Sequence, residues 1–321
     1  MLSRIDLCSP IRNQQRKITF LLHSLRGPVG RLTLTAMVII ETTRSLFRLV
    51  EAYYVQTPED LNTLKECLRT NKIVYIRQAP IPLDLGRSAV WYRSIPTLLM
   101  DLRQDLGGLL REASRTCRNR ITRIDRLSNR AAVRRNDPTA YADFLKLHND
   151  FVARSRHTEP LSQSQIVRLR PMIDVFVAYY DGRPLCGHIF IRDQDIGRVE
   201  LLFSASVRLE ESENPAFVSW INRWLHWSEV RLYKSEGMLI YDFGGIATDT
   251  PHRSGIARFK QSFGGTRVVE HSYIVARPLG RMAIRMFYAM RRIRSARSVF
   301  GVRGLFEPSG WTDVRGTQQL R

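Results

Sequence analysis

The sequence predicts an α+β fold, in which a mixed and mostly antiparallel sheet is flanked by helices. Asp181-Gly182 separates two apolar runs, which is the pattern of a β-hairpin, and a third apolar run follows it. A long helix opens at Asn214-Pro215 and ends near Gly237, before a further strand. Such a strand–helix–strand crossover splays a sheet and leaves a cleft. The strands predicted here are 174–180, 185–192, 198–206 and 238–243.

The remaining elements follow from periodicity and from turn residues. Thr57 is a predicted N-cap, and Glu59 and Asp60 suit the first turn of the helix that it opens. Apolar spacing of three and four residues predicts a helix over 139–153. The other predicted helices are 58–68, an arginine-dense stretch over 102–135 that ends in a short strand, and 255–263; the other strands are 47–55, 72–77, 90–95 and 268–275.

Composition changes divide the chain into four predicted parts. Residues 1–45 form a basic N-terminal segment with little patterning, and residues 46–104 form a partial α/β subdomain. Residues 105–276 form the main domain, and residues 277–321 form a basic C-terminal tail.

The charge balance predicts polyanionic partners. Fifty Lys and Arg residues against 30 Asp and Glu residues give a net charge of +20, which attracts nucleic acid, anionic lipid or pyrophosphate groups. The 4 cysteines lack ligand spacing, which excludes a disulfide framework or a zinc ribbon and fits a reducing compartment. No secretory pattern or spanning segment is visible. We therefore expect a cytoplasmic protein, with peripheral contact at the inner face of the membrane as an option.

Two glycine pairs flank a short basic helix. Gly244-Gly245 ends the run Tyr241–Ile246, and Gly264-Gly265 ends the run Gly255–Gly265. Glycines let a backbone approach a ligand closely and leave N–H groups free for an anion. Arg258 and Lys260 would supply positive charge there. The alternative is that the glycines form turns and that both charges are solvated.

Two further side chains leave alternatives open. Asp242 ends an apolar strand beside the glycines, where it either accepts a proton from an attacking amine or caps the next loop. His226 lies on the helix face opposite the tryptophans and faces either the cleft or solvent. A surface histidine is the simpler interpretation, and ligand binding is the alternative. An oxyanion would be met by backbone N–H groups near residues 202–205.

Taken in order, these motifs resemble the Fem-like (FemAB/FemX-type) branch of the GNAT acyltransferases over about residues 105–276. The resemblance is carried by Tyr241–Ile246 and Gly255–Gly265, with the stretch Cys117–Ile121 and the hairpin Tyr180–Gly187 in support. It implies a GNAT-like splayed sheet and a degenerate N-terminal GNAT-like half. It also implies an acyltransferase that moves an acyl or aminoacyl group to an amine of a cell-envelope, peptidoglycan or polysaccharide precursor by direct attack.

The residues predicted for the site fall into two groups, catalytic and substrate-binding. Asp242 and Lys260 are the predicted catalytic residues. The predicted substrate-binding residues are Gly244, Gly245, Arg258, Gly264, Gly265 and His226. No metal and no tightly bound cofactor are expected, and acyl-CoA and aminoacyl-tRNA are the candidate donors. Three glutamates within 208–213 stand where GNAT enzymes bind pyrophosphate, and their charges oppose coenzyme A binding in the usual mode.

The tail supports a second hypothesis. Over 277–303, arginines alternate with Met, Ile, Phe and Tyr residues, as in an interfacial membrane helix. A tRNA-binding surface or a helix packed on the core would show the same composition. The alternative function is therefore a non-catalytic basic scaffold that binds RNA or an anionic membrane on a degenerate GNAT fold.

Overall fold

The protein is described by a computed structural model that covers residues 38–44, 47–55, 57–70, 73–127, 129–155, 160–210, 212–246, 251–282, 284, 286 and 312–313. The strands are β1 (Val38–Arg44), β2 (Phe47–Tyr53), β3 (Ile73–Ala79), β4 (Ala89–Asp101), β5 (Ala131–Arg135), β6 (Ile173–Tyr180), β7 (Arg183–Asp193), β8 (Arg198–Ser206), β9 (Ile240–Gly245), β10 (Thr266–Val275) and β11 (Thr312–Asp313). The helices are α1 (Pro58–Arg69), α2 (Leu106–Glu112), α3 (Arg115–Asp125), α4 (Pro138–Ser155), α5 (Gln163–Leu169), α6 (Pro215–Ser235) and α7 (Pro251–Gln261).

All these strands belong to one mixed sheet. Their order is β1-β2-β3-β10-β4-β9-β8-β7-β6-β5, and β11 pairs with β4. Among the described strands, β2–β3 and β8–β9 are the parallel pairs, and the other pairs are antiparallel. The predicted α+β class with a mostly antiparallel sheet is therefore confirmed.

Strand β10 joins the two halves of the chain. It pairs with β3 on one side and β4 on the other, so Tyr273 stands opposite both Ile76 and Tyr92. Strands from the predicted segments 46–104 and 105–276 therefore share one sheet. The end of the predicted segment 1–45 also contributes to it, because β1 pairs with β2. Residues 1–37 lie outside the described residues.

The arginine-dense helical stretch predicted over 102–135 is divided into separate helices, and the short strand predicted at its end is confirmed. Strand β4 extends to Asp101, and two short helices and β5 occupy the rest. Asp105 accepts a hydrogen bond from Gly108 N–H, and Ser114 accepts one from Cys117 N–H, so each opens a separate helix. Periodicity alone did not resolve these two starts. The predicted helix 58–68 is confirmed with Thr57 as its N-cap.

The larger core lies between β6–β9 and the helices α3, α4 and α6. Helix α6 packs on α3 with one side and on β7 with another. A smaller core surrounds α1, β2, β3 and β10. Helix α6 is thus covered on two sides, which matters for the site below.

Gly265 allows β4 and the turn before β10 to pack closely. Its φ is +90°, and a Cβ at this position would lie 2.6 Å from Leu99 O. We expect Gly265→Ala to lower the free energy of unfolding by about 2 kcal/mol or more, measured by chemical denaturation. Gly255→Ala is the control, because a Cβ there meets nothing within 4 Å and lies in α7. Equal stability of the two variants would contradict the packing.

Candidate active site

The site begins where β8 and β9 part. The two parallel strands pair only from Arg198 to Glu200 on β8 and from Ile240 to Asp242 on β9. Beyond this point a cleft of about 750 Å³ opens between β8, the start of α6 and α7. Its walls are mainly apolar, and they include Leu201, Leu202, Ala205, Val218, Ile256 and Phe259. This is the cleft that the strand–helix–strand crossover predicts.

A smaller polar pocket lies beside this cleft. It measures about 210 Å³ and is lined by residues of β3, β4, β8, β9 and β10. Leu201 and Leu202 line both spaces, so the end of β8 is a wall between them. The side chains that give the pocket its polarity are Arg77, Gln78, Arg93, Thr97, Glu200, Glu270 and Ser272. The arrangement brings an apolar cleft and a charged pocket together at one strand.

Glu200 is the titratable group of the pocket that the sequence analysis missed. Tyr54 Oη donates to Glu200 Oε2 over 2.7 Å, and Gln78 Nε2 donates to Oε1 over 2.6 Å. Burial and the negative charge of Asp242 raise the pKa of Glu200 to about 7, against the opposing effect of Arg198. A carboxyl with this pKa exchanges a proton readily near neutral pH.

The two residues that hold Glu200 have unusual backbones. Tyr54 has a φ of +59° and Gln78 has a φ of +54°, in the left-handed region that non-glycine residues seldom adopt. Tyr54 N–H also donates to Arg77 O over 3.1 Å, which ties the two positions together. Strained backbone of this kind persists where the surroundings impose it, and it concentrates at functional sites. The hydrogen-bond donors of Glu200, Tyr54 and Gln78, thus come from the N-terminal half of the chain.

Lys260 stands at the boundary of the two spaces. Its side chain lines the cleft, and its Nζ donates to Gly245 O, a residue of the polar pocket, over 2.9 Å. Burial lowers the pKa of Lys260 to about 8, although Asp242 and Glu200 oppose this shift. The ammonium group is therefore still mostly protonated at pH 7, with its charge directed at the junction.

Asp242 belongs to a buried ion cluster. Its side chain is 0% exposed. Oδ1 accepts hydrogen bonds from Thr97 Oγ1 over 2.6 Å and from Gly244 N–H over 2.7 Å. Oδ2 pairs with Arg198, which also pairs with Glu270. The bond to Gly244 is the capping interaction that the sequence analysis weighed. Because Asp242 lines neither the cleft nor the pocket, the geometry gives it a positioning role.

We expect Asp242→Ala to destabilise the protein. Removing one partner of a buried ion pair leaves Arg198 with less compensation, which costs about 3 kcal/mol or more of the free energy of unfolding. Asp150→Ala is the control, because the surface pair of Asp150 with Lys146 contributes less than about 1 kcal/mol. Denaturation of both variants checks this, and an unaltered midpoint for Asp242→Ala would contradict the structural role.

The two glycine pairs have different surroundings. Gly244 and Gly245 line the polar pocket, and a Cβ at Gly244 would lie 3.0 Å from Leu201 O. Gly244 has a φ of +70°, so both its conformation and its space suit glycine. Gly264 and Gly265 instead pack against α2 and β4, where their Cβ atoms would meet Glu112 and Leu99. The structure therefore brings the first pair to the site and places the second pair away from both spaces.

The interpretation of His226 as a surface residue is wrong, because it is only 1% exposed. The face of α6 opposite the tryptophans packs on the sheet, while Trp224 faces α3 and donates to Asp125 over 2.8 Å. Periodicity separates the faces of a helix but does not tell which are covered. His226 lines the apolar cleft, which was the other orientation considered from the sequence.

Three arginines surround a space of about 490 Å³ that opens beside the apolar cleft. They are Arg208 after β8, Arg223 on α6 and Arg258 on α7. The glutamates that we expected to repel pyrophosphate are partly neutralised. Glu210 pairs with Arg154 and Arg183, and Glu213 pairs with Arg183. Glu211 lies outside the described residues.

One group of side chains has the chemistry of metal ligands. Among the described residues, His188, His226 and Glu229 bring ligand atoms within 4.8 Å of one another. His188 Nδ1 lies 2.7 Å from Glu229 Oε1, and His226 Nδ1 lies 2.7 Å from Tyr241 Oη. These hydrogen bonds give His188 Nδ1, Glu229 Oε1 and His226 Nδ1 partners within the protein. No metal was expected from the sequence, and no sequence motif indicated that these three side chains lie together.

The described start of the tail packs on the sheet. Ile284 joins Tyr75, Val90, Ile274 and Ala276 in a small cluster. Leu279, Met282 and Met286 are exposed. Of the tail beyond these positions, only Thr312–Asp313 is described, so the predicted basic helix over 277–303 lies largely outside the described residues. In the described part of the chain, no helix is long and apolar enough to span a bilayer.

Comparison with known proteins supports the fold. No protein-family model matches the sequence, and no curated protein matches it. The structure is similar to the crystal structure of FemX, with a TM-score of 0.55 and 14% identity over 76% of this chain and 85% of that chain. It is also similar to the C-terminal domain of a putative lysylphosphatidylglycerol synthetase from Agrobacterium fabrum, with a TM-score of 0.51 and 13% identity over 78% and 84%. The predicted Fem/GNAT-like fold is therefore confirmed.

Proposed function

We propose that this protein is an acyltransferase that moves an acyl or aminoacyl group to an amine of a cell-envelope, peptidoglycan or polysaccharide precursor. The observation that carries this proposal is the junction of an apolar cleft and a charged pocket at the end of β8. The cleft receives the acyl donor and the pocket receives the amine. Glu200 and Lys260 stand where the two substrates meet.

The reaction is a direct attack of the amine on the donor carbonyl. The nitrogen forms a bond to the carbonyl carbon, and Glu200 accepts the proton that the nitrogen releases. Negative charge develops on the carbonyl oxygen, where the Lys260 ammonium stabilises it. The carbonyl re-forms as the bond to the carrier breaks, and the proton held by Glu200 passes to the leaving sulfur or oxygen atom of the carrier. None of the described cysteines lines the cleft, which favours direct attack over a covalent intermediate.

The donor is proposed to carry phosphate. Arg208, Arg223 and Arg258 would bind a phosphate group at the mouth of the cleft, because guanidinium groups fork onto phosphate oxygens. Acyl-CoA and aminoacyl-tRNA both offer such a group, and both stay candidates. No tightly bound cofactor is invoked.

Arg258 provides a test of the phosphate contact. We expect Arg258→Gln to weaken binding of coenzyme A or of tRNA by about 10-fold and to reduce the salt dependence of binding. Arg267→Gln removes an exposed arginine of β10 outside the cleft and should leave both quantities unchanged. Titration at several salt concentrations measures them. Equal effects of the two substitutions would contradict a specific phosphate site.

The alternative function is a basic scaffold that binds RNA or anionic lipid without catalysis. The same three arginines favour it, and so does the net charge of +20. Native mass spectrometry of the gently purified protein separates the two functions. A bound acyl-CoA, aminoacyl-tRNA or other activated acyl carrier would support the transferase. Bound RNA or lipid without a reactive acyl group would favour the scaffold.

A further inference from the structure

A chain of buried hydrogen bonds lies beneath the apolar cleft. His188 Nδ1 lies 2.7 Å from Glu229 Oε1, and Tyr241 Oη donates to Glu229 Oε2 over 2.7 Å. His226 Nδ1 lies 2.7 Å from Tyr241 Oη. All four side chains are buried, and the mechanism above uses none of them. The chain reaches the cleft at His226.

The protons of this chain can be assigned because a carboxylate only accepts hydrogen bonds. Burial opposes ionisation of Glu229, but His188 beside it lowers the pKa of Glu229 below its ordinary value. The Tyr241 hydroxyl therefore donates a hydrogen bond to Glu229, and its oxygen accepts a hydrogen bond from His226 Nδ1–H. The His226 ring is buried among Phe243 and Phe263, and such surroundings favour the neutral ring, which carries one proton, on Nδ1. Its Nε2 consequently carries a lone pair.

Asn222 complements His226 on the cleft floor. One end of its side-chain amide lies 2.8 Å from His188 Nε2, and the other end is left without this partner. Neither that second end of the amide nor His226 Nε2 has a hydrogen-bond partner among the described residues. Both residues line the cleft, and they are four positions apart on one face of α6. The floor therefore presents the His226 acceptor and one polar end of the Asn222 amide within otherwise apolar walls.

We propose that His226 Nε2 accepts a hydrogen bond from an N–H or O–H group of the acyl donor, while the unpaired end of the Asn222 amide forms a hydrogen bond with a second polar group of the same molecule. This inference rests on the proposed function, since it assumes that the cleft holds the donor. A plain alkyl chain would leave two buried polar groups without partners. A missing hydrogen bond of this kind costs about 10-fold to 100-fold in affinity. The cleft is therefore selective for polar acyl donors.

The N–H group can come from the acyl part or from the carrier, and matched ligands distinguish these sources. The probes are the alanyl and propionyl amides of 3′-amino-3′-deoxyadenosine 5′-phosphate, which differ only at the α-amino group, and coenzyme A, which has amide N–H groups in its arm. We expect the wild-type protein to bind the alanyl probe about 10-fold more tightly than the propionyl probe. In His226→Phe this ratio should fall to about 1 if the acyl part supplies the N–H. Equal binding of both amides, with coenzyme A weakened about 10-fold in His226→Phe, would support the carrier as the source.

His271→Phe is the matched control. His271 Nδ1 also contacts a tyrosine hydroxyl, that of Tyr92 at 2.8 Å, but it lies outside the cleft. This variant should keep the wild-type affinities. If His226→Phe leaves both the alanyl/propionyl ratio and the coenzyme A affinity unchanged, the proposal is overturned.

Nitrogen-15 NMR of labelled histidine tests the tautomer without any ligand. We expect His226 to be protonated at Nδ1 and bare at Nε2. Tyr241→Phe removes the hydroxyl that imposes this tautomer, and the Nε2–H form should then appear. An Nε2–H form in the wild-type protein would overturn this proposal alone. Failure of the wild-type protein to bind any of the three probes would overturn the donor cleft, and this proposal with it.

Discussion

Lys260→Met is expected to lower the rate of acyl transfer by about 100-fold or more. The substitution keeps the apolar stem that lines the cleft and removes the charge at the junction with Gly245. Loss of one group that stabilises an oxyanion typically has an effect of this size. Transfer is measured by mass spectrometry of the acylated amine under single-turnover conditions.

Lys234→Met is the matched control for this variant. Lys234 also donates to a backbone carbonyl, Leu102 O at 2.7 Å, but it lies in the last turn of α6 away from the cleft. Its rate should equal that of the wild-type protein. Similar rates for the Lys260 and Lys234 variants would remove Lys260 from the mechanism.

Glu200→Gln is expected to lower transfer by about 100-fold and to change its pH dependence. The wild-type rate should rise with pH through about 7, as Glu200 loses its proton and becomes an acceptor. It should fall through about 8, as Lys260 loses the proton that gives it charge. The glutamine variant should lack the rise on the acidic side and keep the fall on the alkaline side. In Lys260→Met the fall should be absent instead.

Asp193→Asn controls for loss of a buried carboxylate. Burial also raises the pKa of Asp193, but this residue binds the backbone N–H groups of Asp195 and Ile196 in the turn after β7. The variant should keep the wild-type pH profile. An acidic limb that survives in Glu200→Gln would show that another group accepts the proton.

Much of the fold could be predicted because its signals are local. Asp181-Gly182, Asn214-Pro215 and Gly237 mark turns and helix ends, and β8 and α6 lie where they were predicted. Pairing between distant strands left no such signal. Strand β10 lies between β3 and β4, and its position depends on contacts across almost 200 residues, such as Leu83 N–H with Tyr273 Oη.

The site was predicted in part for the same reason. The glycine motif led to Gly244, Gly245 and Lys260, which meet at the junction. Glu200 was missed because its partners Tyr54 and Gln78 are 146 and 122 residues away in sequence. One signal was available, since Glu200 is a lone carboxylate inside the apolar run 198–206 of a strand predicted to be buried.

The glutamates after β8 show that charged residues in a sequence are a poor guide to ligand binding when their ion-pair partners are unknown. They argued against coenzyme A binding in the usual mode, yet Glu210 and Glu213 pair with Arg154 and Arg183. The arginines that remain at the cleft mouth come from three separate elements. Their convergence is a property of the fold and has no counterpart in local sequence.

Catalysis of acyl transfer to an amine at the junction of the two spaces can be tested directly. The most direct test mixes the wild-type protein with an activated donor, either acetyl-CoA or aminoacyl-tRNA, and with a nucleotide-linked muramyl pentapeptide that contains lysine. Mass spectrometry then searches for a new amide on the lysine. We expect an acylated product with at least one donor, formed by the wild-type protein and by Lys234→Met about 100-fold faster than by Lys260→Met or Glu200→Gln. Product that forms at the same rate with all four proteins would contradict this expectation, as would a wild-type protein that binds donor and acceptor yet transfers nothing.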